Sequence, residues 1–111
     1  MPRDALVLLE DILEACEKIA RYTAELSIDA FRQDAKTLDA VARNLEIIGE
    51  AAKKLPADVR NEMSGIEWNR IAGLRDVLIH NYFGIDADII WDVVQTKIPA
   101  LRTQVAARLQ K

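Results

Sequence analysis

Apolar residues recur every three or four positions over long stretches of this chain, and that period restricts it to packed helices. From Asp4 to about Tyr22 the repeating set is Leu6, Leu9, Ile12, Leu13, Cys16, Ile19 and Ala20. Glu10, Asp11, Glu14, Glu17 and Lys18 occupy the other face. A helix with such a stripe must bury it against another element, so one stripe requires others. The run from about Ile28 to Leu55 supplies them with Phe31, Ala35, Leu38, Val41, Ala42, Leu45, Ile48 and Ala52. No stretch alternates as a strand would. The expected fold class is all-α, a bundle of about four to five helices forming one domain over residues 1–111.

Helix punctuation divides this bundle. Ser27 or Asp29 offers an N-cap for the second run, which reads as one long helix. Gly49 inside it costs about 1 kcal/mol of helix propensity against alanine, a loss that close approach of a neighbouring helix would offset. Leu55 precedes Pro56 and so leaves the helical region, while Pro56 suits the start of a short helix reaching about Glu62. Ser64 and Gly65 break that helix. A further helix is expected from about Glu67 to Phe83, with Gly84 as its C-cap. Asp86 caps the last helical run, on which Ile89, Ile90, Val93 and Val94 are expected to face inward. Pro99 should kink or restart it before Leu101–Leu109.

Composition excludes several classes of function. Half of the 111 residues are hydrophobic and 30% are charged, which describes a globular chain rather than a disordered one. A net charge of -3 argues against a protein that coats duplex nucleic acid, although a locally basic cleft stays compatible. Cys16 is the single cysteine, so no intrachain disulfide forms, and its place on the apolar stripe marks a small core residue. The sequence opens with no charged-then-apolar leader and has no apolar stretch long enough to span a bilayer. A cytoplasmic protein without membrane association is expected. There is one histidine, no His-Glu-x-x-His spacing and no Gly-rich phosphate loop, so neither a metal nor a cofactor is expected.

The chemistry concentrates in Gly73-Leu74-Arg75-Asp76-Val77-Leu78-Ile79-His80-Asn81-Tyr82-Phe83-Gly84. It holds an arginine suited to phosphate oxygens, a histidine suited to proton transfer and a phenol. Asp76 lies four residues before His80 and shares its helix face, so it can orient the imidazole. Asp76 and the helix C-terminal dipole both favour the charged ring. In a straight helix Arg75 points about 140° away from His80, so one helix does not stack the two side chains. Each residue also has a plainer reading. His80 can be a half-buried helix histidine, Arg75 the partner of Asp76 or Glu50, and Tyr82 a core aromatic. Asn81 can cap the helix or bond substrate. Glu46 and Glu50 are one turn apart, and Trp68 and Trp91 read as core or dimer-interface residues.

Arg75-x4-His80-x-Tyr82 resembles the signature of HEPN-domain ribonuclease toxins, specifically the small toxins encoded beside a minimal nucleotidyltransferase antitoxin (the HepT/MntA type). Asn44-Leu45-Glu46-Ile47-Ile48-Gly49-Glu50-Ala51-Ala52 is similar to the family's second long helix. Trp68-Asn69-Arg70-Ile71-Ala72-Gly73-Leu74 is similar to the lead-in to the motif, and Trp91, Ile98, Pro99 and Leu101 to the C-terminal helix. The resemblance implies a HEPN-like homodimer in which the motifs of both protomers line one cleft. It implies Arg75 and His80 as catalytic residues, with Asp76, Asn81 and Glu50 in support. RNA (tRNA or mRNA) would be the substrate, and DNA would not be cut. It also implies a partner nucleotidyltransferase that silences the toxin by attaching AMP to Tyr82. Two other readings compete. One is a non-catalytic HEPN module that binds a nucleotide or the nucleotidyltransferase. The other is a helical dimerisation domain in which Arg75, Asp76 and His80 form a buried polar network.

Overall fold

The computed structural model describes residues 4–79 and 86–110. Its described residues form seven helices and no strand: α1 (Ala5–Thr23), α2 (Ile28–Gln33), α3 (Ala35–Lys54), α4 (Ala57–Asn61), α5 (Trp68–Ile79), α6 (Ala87–Thr96) and α7 (Ile98–Leu109). α3 is the central element. α1 packs on one side of it and α5 on another, α7 covers α1, and α2 and α6 pack together at the flank.

Most boundaries follow from local chemistry. The Asp4 carboxylate accepts a hydrogen bond from the Leu6 amide at 2.8 Å and opens α1. Ser27 caps α2 through the Ala30 amide. α3 ends at Leu55 before Pro56, and Asp86 caps α6 through the amides of Asp88 and Ile89. Pro99 sits in the first turn of α7, where its missing N–H costs nothing. The predicted extension of α5 to Phe83 and the Gly84 cap fall outside the described residues.

The bundle departs from expectation at one point in particular. The run from Ile28 to Leu55 is two helices. Asp34 leaves helical geometry, and its carboxylate accepts from the Thr37 amide at 3.0 Å and from the Thr37 hydroxyl at 2.6 Å. These bonds favour the ionised carboxylate and hold the Asp34 pKa below its ordinary value. The break resets the helical phase, which is why Ala35 is exposed rather than part of the stripe. Together with the restart at Lys97, it brings the number of helices among the described residues to seven, within the expected all-α bundle.

The core is built from α1 (Leu9, Ile12, Cys16, Ile19), α3 (Val41, Leu45, Ile48) and α7 (Leu101, Val105), all fully buried, together with Phe31 of α2. Trp68 is buried and its indole N–H donates to the Met63 carbonyl, while Trp91 packs on Phe31 with ring centroids 5.1 Å apart. Two expected core positions differ. Leu6 is exposed at the first turn of α1, where Leu8 faces inward instead. On α6 only Ile90 and Val94, one turn apart, are buried. Ile89 lies about 100° round from Ile90 and is 51% exposed, while Val93 on its face packs partly against the core.

Candidate active-site cleft

The crossing of α3 and α5 positions Arg75. A Cβ at Gly49 would lie 3.1 Å from the Arg75 backbone nitrogen and 3.3 Å from the Ile71 carbonyl oxygen. Glycine is therefore what lets the two backbones come this close, and the propensity cost noted above is offset by that approach. Arg75 sits directly on this contact. Its Nε lies 3.5 Å from Oε2 of Glu50, the residue after the glycine.

Around this pair lies a cleft of about 360 Å³ between α1, α3 and α5. Leu8, Ile47 and Ala51 give it an apolar floor, and its walls carry Asp11, Arg43, Glu46, Glu50, Lys54 and Arg75. Positions 43, 47, 50 and 54 lie on one face of α3 because steps of four, three and four residues keep within a narrow angular range. Glu50 also holds Lys54 Nζ at 3.3 Å, and Arg43 Nη1 lies 3.6 Å from Glu46. The Arg75 and Glu50 side chains are 45% and 42% exposed, so their attraction is screened and contributes at most about 1 kcal/mol to stability. Its effect is orientation. Contact through Nε leaves the Nη1–Nη2 edge of the guanidinium turned away from that carboxylate, a fork whose geometry suits a pair of oxygen acceptors.

Of the candidate site residues, the structure brings Arg75 and Glu50 together. Glu50, not Asp76, is the carboxylate paired with Arg75 among the described residues. Asp76 is exposed on α5. Both Arg75 and Asp76 are exposed in the single chain. His80, Asn81 and Tyr82 lie outside the described residues. Cys16 is fully buried, and burial pushes its thiol up to about 12, so it is an inert core residue. The sequence reading missed Arg43 and Lys54. The signal was present in the seven- and four-residue steps that put both on the Glu50 face.

The family model described as Ribonuclease HepT-like matches residues 12–108 of the chain. A protein of Methanocaldococcus jannaschii provisionally named an RNase is 48% identical over 100 residues, covering 89% of this chain and 83% of that one. A protein of Caldanaerobacter subterraneus with the same provisional name is 45% identical over 103 residues, covering 93% and 92%. One of Thermococcus cleftensis, provisionally named ribonuclease HepT, is 45% identical over 102 residues, covering 92% and 93%. No solved structure matches the chain.

Proposed function

The chain belongs to the HepT-like ribonuclease family, and on that premise we propose that it is an RNA endonuclease toxin acting through Arg75 and His80. The observation that carries this reading is the placement of Arg75. It is a solvent-facing guanidinium at the mouth of a cleft, oriented by Glu50 through Nε, five residues before the only histidine.

The reaction is intramolecular in the substrate. The ribose 2′-oxygen attacks the adjacent phosphorus, the new O2′–P bond forms and the P–O5′ bond breaks. A 2′,3′-cyclic phosphate and a free 5′-hydroxyl result. One His80 takes the 2′-hydroxyl proton, and a protonated His80 of the partner subunit delivers a proton to the leaving 5′-oxygen. Arg75 binds the non-bridging oxygens and stabilises their developing charge, a role worth about 10²–10³ in rate for comparable donors. This attack requires no metal, and DNA, lacking the 2′-hydroxyl, is not cut. A composite site across a homodimer answers the angular separation of Arg75 and His80 on one helix. The substrate class is tRNA or mRNA.

Regulation follows from the same motif. A partner nucleotidyltransferase that attaches AMP to Tyr82 would add bulk and negative charge within the motif, repelling the RNA backbone. The test is expression of the unaltered chain beside His80→Ala and Arg75→Ala, with total RNA from each culture resolved on a gel. Growth arrest and new fragments ending in cyclic phosphate are expected only with the unaltered chain. Fragments that persist in His80→Ala would overturn the assignment. Intact RNA with the unaltered chain and Tyr82 free of AMP by mass spectrometry would favour the binding module instead.

A further inference from the structure

We infer that Arg43 and Lys54 extend the site into a track along α3 that holds the sugar–phosphate backbone of RNA on either side of Arg75. This inference rests on the ribonuclease reading above. Arg43 and Lys54 are eleven residues apart on one helix face, about 16 Å along the axis, and Arg75 reaches into the same cleft beside Glu50. A stacked strand carries one charge roughly every 3.4 Å, so the row spans about five phosphates.

Two features make this a row of available cations rather than a set of closed ion pairs. Among the described residues, Arg43 stands further into solvent than Glu46 at 70% against 36% and Lys54 further than Glu50 at 54% against 42%, while Arg75 is as exposed as Glu50 at 45% and 42%. The carboxylates orient the cations from below. The three separations, 3.3 to 3.6 Å, are also longer than the hydrogen-bonded pairs Arg32–Asp88 and Lys97–Glu67 at 2.7 and 2.8 Å. A phosphate offering charge-assisted hydrogen bonds therefore improves on what each cation already has. The floor is Leu8, Ile47 and Ala51, and no aromatic side chain lines the cleft among the described residues. The described lining therefore offers contacts to backbone rather than to bases.

The experiment measures binding of a fluorescent, mixed-sequence 2′-O-methyl oligoribonucleotide, which cannot undergo 2′-hydroxyl attack, to the full chain over a range of salt. Arg43→Gln and Lys54→Gln are each expected to weaken binding about threefold and to flatten the log K against log salt slope by about 0.7, with the double variant showing the sum. Arg43→Lys and Lys54→Arg should keep the slope. Arg102→Gln makes the same charge change on α7, outside the cleft, and should leave it unaltered. On cleavable RNA the Gln variants should raise KM and retain kcat. A double variant with an unchanged slope overturns the track. So does failure of the unaltered protein to bind, or an equal effect from Arg102→Gln. Cleavage of total RNA by the unaltered protein tests the ribonuclease reading separately. Cleavage without slope changes sinks the track alone, whereas binding with slope changes but no cleavage, with Tyr82 free of AMP by mass spectrometry, sinks the nuclease reading alone.

Discussion

α3 takes part in two seams of different construction. Toward α1 it meets a stripe of fully buried Leu9, Ile12, Cys16 and Ile19 with its own Val41, Leu45 and Ile48, a contact made of interdigitated side chains. Toward α5 the decisive residue has no side chain. Gly49 lets the backbones meet, and a charged pair follows at the mouth. The first seam stabilises through apolar area and packing, roughly 1.5–3 kcal/mol for each large side chain buried. The second also fixes where one guanidinium stands. Apolar interdigitation and site geometry thus draw on two different neighbours of one helix.

Substitutions on the two seams should separate these roles. Leu45→Ala removes a fully buried side chain and should cost about 2–5 kcal/mol, read as a large fall in melting temperature. Activity per folded molecule, assayed well below the new transition, should change little. If activity falls in step with stability, the two seams are one cooperative unit and the distinction is broken. Gly49→Ala should do the reverse. Overpacking against the Arg75 nitrogen and Ile71 carbonyl costs about 1–3 kcal/mol, and the gain in helix propensity returns about 1 kcal/mol, so the net loss is small. Cleavage should nevertheless fall by about 10² because α5 must shift and take Arg75 with it. Full activity with normal stability would show that the close approach has no bearing on the site.

The smallest effect concerns Cys16 in the first seam. Its pKa is raised by burial from the ordinary 9.0 to about 12, so the native state keeps its proton where the unfolded chain has lost it. The native form binds more protons between those values, and stability should fall as pH rises through that window, with no contribution at neutral pH. Unfolding titrations of the wild type and Cys16→Ala at pH 8 and above measure it. A Cys16→Ala difference that stays flat with pH would remove burial as the cause.

Where a single residue dictated a boundary, the fold could be read from the sequence. Pro56, Asp86 and Pro99 each act through their own backbone or carboxylate, and all three marked the right place. Asp34 did not stand out, because Phe31, Ala35 and Leu38 keep helical spacing across it. Periodicity cannot see a cap that interrupts a continuous stripe, and the Asp34–Thr37 bonds were the only local sign. Ile89 shows the complementary difficulty: two adjacent apolar stripes cannot be ranked without knowing which neighbour supplies cover. Within the site, Gly49 signalled a close crossing and Glu50 was one of two named partners for Arg75. Choosing between Glu50 and Asp76, and seeing Arg43 and Lys54, required the approach of α5 to α3, a relation between segments distant in sequence.

The packing of α7 over α1 has a consequence for synthesis. α1 leaves the ribosome first, with its apolar stripe complete, and α3 can cover part of it soon afterwards. The rest waits for Leu101 and Val105, which are buried and belong to the last helix described. Until they emerge, a nascent chain carries a greasy surface that a chaperone can hold and a protease can find. A truncated product ending before α7 would keep Arg75 and His80 yet leave that surface bare. Quality control would then meet the truncated chain by its uncovered first helix, well before any chemistry of its site came into play.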